Sequence, residues 1–216
     1  LDQIEDLNAD RVLVADVAEE LEPFESSQKD IAFFSLAKGE TAKTLTEKRC
    51  GPGLLMDSQI YNADLAIGLC QVRPIADIAA TRMIEDPKFA GRLNAEIITP
   101  AQQMHDGNVR SYQIDTINSI CGATGSAGAL PIADAIVGHL ATQSSCPITS
   151  RFVLVGSLSY SGLGDRIHLN GSAAVAEHPA SGPRPDRRPA RRRVSAVEAQ
   201  GASPRSTSLA GAATVT

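Results

Sequence analysis

Along the chain, apolar residues gather in short runs of strand length, and between these runs they recur every three or four positions. "DRVLVADV" (10–17) and "DIAFFSL" (30–36) are short and rich in β-branched or aromatic side chains, which predicts strands. "ADLAIGL" (63–69) reads as a third strand and "AEIIT" (95–99) as a fourth. "YQIDTINSI" (112–120) starts with period two at Tyr112, Ile114 and Thr116, and then Ile117 and Ile120 break the alternation. "RFVLVGSLS" (151–159) has the plainest strand pattern. "HLNGSAAVAE" (168–177) reads as a last strand that packs closely at its small residues.

The intervening stretches carry helical spacing. "AKGETAKTLTEKR" (37–49) is one, and "PIADIAATRMIEDPKFAGRL" (74–93) is another, broken or kinked at Pro87. "GSAGALPIADAIVGHLA" (125–141) places Leu130, Ile132, Ala133, Ile136, Val137 and Leu140 at helix intervals, with Pro131 tolerated in the first turns. Strands alternating with helices predict βαβ units and an α/β/α layered fold with a mixed sheet. No internal repeat breaks the sequence into smaller units.

Composition narrows the class. Hydrophobic residues make up 43% of the 216 and charged residues 21%, which is ordinary for a soluble globular chain. With no Trp, the core must rest on Ile, Leu, Val and Ala, which suits helices packed on a buried sheet. No apolar run reaches the length of a membrane span, and the acidic start does not resemble a signal peptide. Cys50, Cys70, Cys121 and Cys146 share no metal-like spacing, so neither a metal nor another cofactor is expected, and the cysteines read as free thiols of a cytoplasmic protein.

The net charge of −5 is unevenly spread. From Pro179 onward, seven arginines face only Asp186 and Glu198, which puts +5 in that segment and −10 in the rest. The segment holds almost no large apolar residue, so residues 179–216 are expected to form a disordered basic tail behind a folded domain at 1–178. "RRPARRR" has no interleaved aromatic platform and no nucleic-acid-reading fold beside it. A solvated tail, with neither nucleic acid nor membrane as partner, is the preferred reading.

Candidate chemistry centres on "SICGATGSAG" (119–128), where Cys121 falls between a strand and a glycine-rich helix start. Such a turn projects a side chain over the sheet edge toward the first helical N–H groups. The positive helix end favours a thiolate, so a lowered thiol pKa is expected, and nearby N–H groups could hold an oxyanion. Gly122, Gly125 and Gly128 allow a tight turn and close approach of a ligand to the backbone. This arrangement suits acyl transfer through a thioester. The bland alternative is a small apolar residue closing the turn.

"DTINSICGATGSAGALPIADAIVGHLA", followed by "FVLVGSLSYSGLGDRIHLNGSAAVAE", resembles the nucleophile region of the thiolase superfamily, and most closely the β-ketoacyl synthase III branch of condensing enzymes. The order Cys121, helix, Val153 to Ser159, Asp165–Arg166 and Gly171 to Val175 follows that family, and the resemblance is specific from about residue 112. It implies acyl transfer from acyl-CoA or acyl carrier protein to Cys121 for condensation in fatty acid or polyketide biosynthesis. It also implies substrate contacts near Gly122, Gly125, Asp165 and Arg166, and a homodimer or a partner chain. The family's catalytic His and Asn belong to a second half that has no counterpart here, so the chain is expected to be truncated or to depend on a partner. "LNGSAA" also replaces the usual "GDGAGA", without its acidic residue.

Other readings stay open. The glycines at 122, 125 and 128 also fit a nicotinamide-dinucleotide turn, although "FVLVGSLSYSG" offers no carboxylate before Asp165. A non-catalytic thiolase-like remnant or interaction module is the third. His139 sits about 18 residues along the Cys121 helix, roughly 27 Å away, out of reach of the thiol. His105 and His168 read as exposed or core-edge histidines, and Ser126 as structural.

Overall fold

Two short, almost wholly buried strands begin the sheet. β1 (Arg11–Asp16) and β2 (Ile31–Ser35) pair in parallel, with Val12 opposite Ile31 and Asp16 opposite Ser35. Leu13, Ala15, Ala32 and Phe34 enter the main core, while Val12, Val14, Ile31 and Phe33 form a second cluster on the other face. Burial on both faces is why these strands read as continuous apolar runs rather than alternating ones. The structure is a computed structural model that describes residues 9–17, 30–36, 40–50, 65, 72–156, 165–180, 191–197 and 211–215. Of the expected third strand at 63–69, only Leu65 is among them.

Helix α1 (Ala42–Cys50) follows, and then α2 (Arg73–Glu85) buries Ile75, Ala76, Ile78, Ala79, Ala80 and Met83. Pro87 ends that run as expected. Asp86 leaves helical geometry and its carboxylate accepts from the Lys88 backbone N–H at 2.8 Å, which caps α3 (Pro87–Arg92). Phe89 of α3 meets Phe34 edge-on, with ring centroids 5.8 Å apart, and the Arg92 guanidinium lies 4.3 Å over the Phe34 ring. Arg92 also donates to the Phe33 carbonyl at 3.1 Å, so α3 pins the outer strand of the sheet.

The expected strand at 95–99 is corrected to helix. A π-helical stretch, Leu93–Ile98, runs straight into α4 (Thr99–Met104). Leu93, Ile97 and Ala101 are buried at four-residue steps, and Arg92 bonds Glu96 at 2.7 Å one turn on. That helical stripe outweighs the β-branched bias of a five-residue window.

β3 (Tyr112–Ser119) and β4 (Ile148–Val155) are parallel, with Tyr112 opposite Ile148 and Ser119 opposite Val155, and α5 (Ala129–Gln143) connects them. Ile132, Ala133, Ile136 and Leu140 of α5 are buried, so this βαβ unit matches its sequence pattern. The sheet is mixed, in the order β2-β1-β6-β3-β4-β5, and the protein is of the α/β class.

The last expected strand, 168–177, is also corrected. Asp165–Ala180 is a helix, α6, which buries Asn170, Gly171 and Ala174 on one face. The alanines there favour helix, and Asp165 in the first turn complements the positive helix end. Within 179–216, expected to lack structure, Arg191–Val197 (β5) and Gly211–Val215 (β6) take strand form. β5 pairs parallel with β4, and β6 lies antiparallel between β1 and β3. Among the described residues, no helix is long and apolar enough to cross a membrane.

Candidate functional site at the Cys121 turn

Strands β1 to β4 all point the same way, so Asp16, Ser35, Ser119 and Val155 share one carboxyl edge of the sheet. Ligands of open α/β sheets bind outside that edge. Cys121 lies there, two residues past the end of β3, and the helix begins at residue 123. The expected grammar of strand, cysteine, glycine turn and helix is therefore present.

Gly125 is the steric key to the turn. A Cβ placed on it would collide with the Ser119 carbonyl oxygen, so only glycine lets the helix start pack directly on the end of β3. Gly122 by contrast has open space around its Cβ position, and Gly128 would merely touch Ala80 at 3.5 Å. Thr124–Gly128 is π-helical, which displaces carbonyls from the α ladder. Side chains take up two of them: Asn118 Nδ2 donates to the Gly125 carbonyl at 2.9 Å, and Arg73 Nη2 donates to that of Ser126, also at 2.9 Å. The Ser126 hydroxyl donates to the Ala123 carbonyl at 3.3 Å, a structural role.

Around Cys121 the contacts are largely apolar. The residue is only 1% exposed and packs with Ile120, Leu130, Ala133, Phe152, Leu154 and Ala174. Its backbone N–H donates to Ser119 Oγ at 3.2 Å, and its carbonyl accepts from Asn170 Nδ2 at 3.2 Å. Gly171 brings α6 so close that an added Cβ would sit 3.9 Å from the sulfur. The expected lowering of the thiol pKa is corrected: burial pushes it up, and the hydrogen bond with Ser119 only partly opposes this.

His105 and His139 are engaged elsewhere. His105 Nε2 lies 2.8 Å from Asp10 Oδ2 at the opposite, amino edge of the sheet. His139 Nε2 lies 2.9 Å from Asn94 Oδ1, and His168 is exposed on α6. Among the described residues, no histidine hydrogen-bonds to the thiol. Asp165 is exposed in the first turn of α6, away from the cluster around Cys121, and of Arg166 only the helical backbone is described.

Several residues of the turn were not singled out from sequence. Asp16, 5% exposed, accepts from the Val17 N–H at 2.7 Å and from Thr124 Oγ1 at 3.3 Å, tying β1 to the helix start. Asn118, Ser119 and Asn170 belong to the same network. The polar pair inside "TINSI" was the available signal, because polar residues at the end of a buried strand must find partners. A cavity of about 550 Å³ opens at the same edge near the end of β2, lined by Phe34, Ser35, Arg82 and Phe89. It lies three strand spacings, roughly 14 Å, from β3.

No family model matches the sequence, and neither a curated protein nor a solved structure matches it.

Proposed function

We propose that the chain carries a thiolase-like acyl-acceptor site in which Cys121 takes an acyl group from acyl-CoA or acyl carrier protein, for condensation in fatty acid or polyketide biosynthesis. The observation that carries this reading is the placement of Cys121 at the carboxyl edge of a parallel βαβ unit, directly before a glycine-dependent helix start. In the transfer, the thiolate sulfur attacks the thioester carbonyl, the new carbon–sulfur bond forms, and the departing thiolate leaves with the proton that Cys121 gave up. Backbone N–H groups of the helix start stabilise the oxyanion. The base, and the donors that a Claisen step needs, come from a second half on this polypeptide or on another. Gly122, with open space beside it, is the part of the turn that an acyl chain can approach.

A second reading rests on an observation of its own. The thiol is 1% exposed, with its pKa pushed up by burial, as expected of a structural cysteine in an inactive half-domain. Intact-protein mass spectrometry after incubation with acetyl- and butyryl-CoA, beside Cys121→Ser, separates the two. An acyl adduct that maps to Cys121 and disappears in the variant supports the acyl acceptor. A folded protein without an adduct sinks it and leaves the structural cysteine.

A further inference from the structure

At the far end of β3 from Cys121, a cavity of about 460 Å³ opens between the end of α4 and the start of the strand. Cys121 lies nine positions beyond Tyr112, roughly 30 Å of extended chain, so the cavity is no part of the acyl site. A tight turn builds its rim: Asp106 and Gly107 both adopt positive φ, 52° and 71°, and deliver Asn108, Arg110 and Ser111 to the opening.

Among the polar groups that line it, Arg110, Asn108, Ser111 and Tyr112 all carry donors. Tyr112 is 4% exposed, and its hydroxyl accepts from Gln102 Nε2 at 2.7 Å. A phenol also carries a proton to donate, and the hydrogen bond with Gln102 does not use it. Among the described residues, Arg110 has no carboxylate partner and the Asn108 side-chain amide has no hydrogen-bond partner. The one carboxylate in the lining, Asp10, has its Oδ2 2.8 Å from His105 Nε2, and Arg110 is the guanidinium at the opening. Leaving a buried hydroxyl proton unbonded is costly, and an oxyanion would satisfy it together with the guanidinium.

We propose that this cavity is a binding site for a small organic anion, a phosphomonoester or a carboxylate, held by Arg110 and by the buried Tyr112 hydroxyl. Its volume falls within the usual range for small-molecule sites, so it accommodates an organic body behind the anionic group. Arg110 and Ser111 lie at the solvent side and Tyr112 at the base, an orientation that admits the anionic group first.

The test is a titration of the full chain, followed by NMR chemical shifts, with inorganic phosphate in one arm and citrate in the other. Sodium chloride at matched ionic strength serves as the control. Phosphate or citrate is expected to bind at about millimolar concentration, with shifts confined to residues 102–113, and the preferred arm identifies the headgroup. Arg110→Gln, an exposed position, should weaken binding by about 10-fold or more, and Tyr112→Phe by about 3- to 10-fold. Arg110→Lys should restore part of the loss. Shifts scattered over the surface, or affinity unchanged in Arg110→Gln with an unaltered circular dichroism spectrum, would overturn the proposal. Because Arg110 is exposed, that outcome stays decisive even if Tyr112→Phe fails to fold.

Discussion

Two glycines of the Cys121 turn, three residues apart, have opposite physical roles. At Gly125 the Ser119 carbonyl occupies the place of a Cβ, so an added methyl must push the helix off the strand or distort both. Gly125→Ala is therefore expected to cost about 3 kcal/mol or more, at the upper end of overpacking penalties, while Gly122→Ala should stay within about 0.5 kcal/mol of wild type. Urea denaturation of the two variants checks this, and equal losses would show that the close approach is absent. Cys121 itself yields a reactivity prediction. A thiol that is 1% exposed and held in its neutral form should react with iodoacetamide far more slowly at neutral pH than the half-buried Cys146, whose sulfur donates to the Val109 carbonyl at 3.2 Å. Peptide mapping of a time course gives both rates. A faster Cys121 would mean that the helix start outweighs burial after all.

Among the elements, α6 decides how closed the turn is. It lays Asn170 on the Cys121 carbonyl and Gly171 beside the sulfur, and most of its other described positions are exposed, including Leu169 at 68% and Val175 at 50%. Among its described positions, Asn170, Gly171 and Ala174 are the buried ones, and that hydrogen bond ties them to the turn. Asn170→Ala should lower stability by about 1–3 kcal/mol, because it strands a buried carbonyl, and should speed Cys121 alkylation by loosening α6 locally. Unchanged alkylation would place the barrier to the thiol elsewhere. This helix also marks where the sequence could be read and where it could not. β1 and β2 were legible as continuous apolar runs, and β3, β4, α2 and α5 because their burial is periodic. Segments 95–99 and 168–177 were misread as strands for different reasons: the first is short with its helical partners outside the window, and the second carries small residues whose apolar signal is weak. Leu93 and Ala101 complete the stripe around Ile97, and Asn170, Gly171 and Ala174 make one helix face only once the sheet edge is in place. The position of Cys121 was legible from local grammar. Its environment was not, because Phe152, Leu154 and Ala174 come from distant parts of the chain.

Across the whole molecule, these contacts make the acid–base behaviour of one thiol a property of the fold. Cys121 is enclosed by β4, α5 and α6 together, so it loses its proton less readily in the folded chain than in the unfolded one, where it meets water. Below the ordinary thiol range both states keep the proton, and the contribution to stability is intact. As pH rises past that range, the unfolded chain releases the proton first and binds fewer protons than the folded chain, so stability falls with increasing pH. The loss continues until the folded thiol also ionises. Thermal unfolding followed at neutral and alkaline pH should therefore show a steeper decline of Tm in wild type than in Cys121→Ser, which cannot titrate in that range. Other groups ionise at alkaline pH in both proteins, and the difference between the two curves isolates this one. Parallel curves would place the thiol in water in the folded state, and the apolar cluster around it would then be open. Divergent curves, together with an acyl adduct at Cys121, would mean that acylation requires the α6 cover to open, because a sealed neutral thiol neither reaches a thioester nor attacks it.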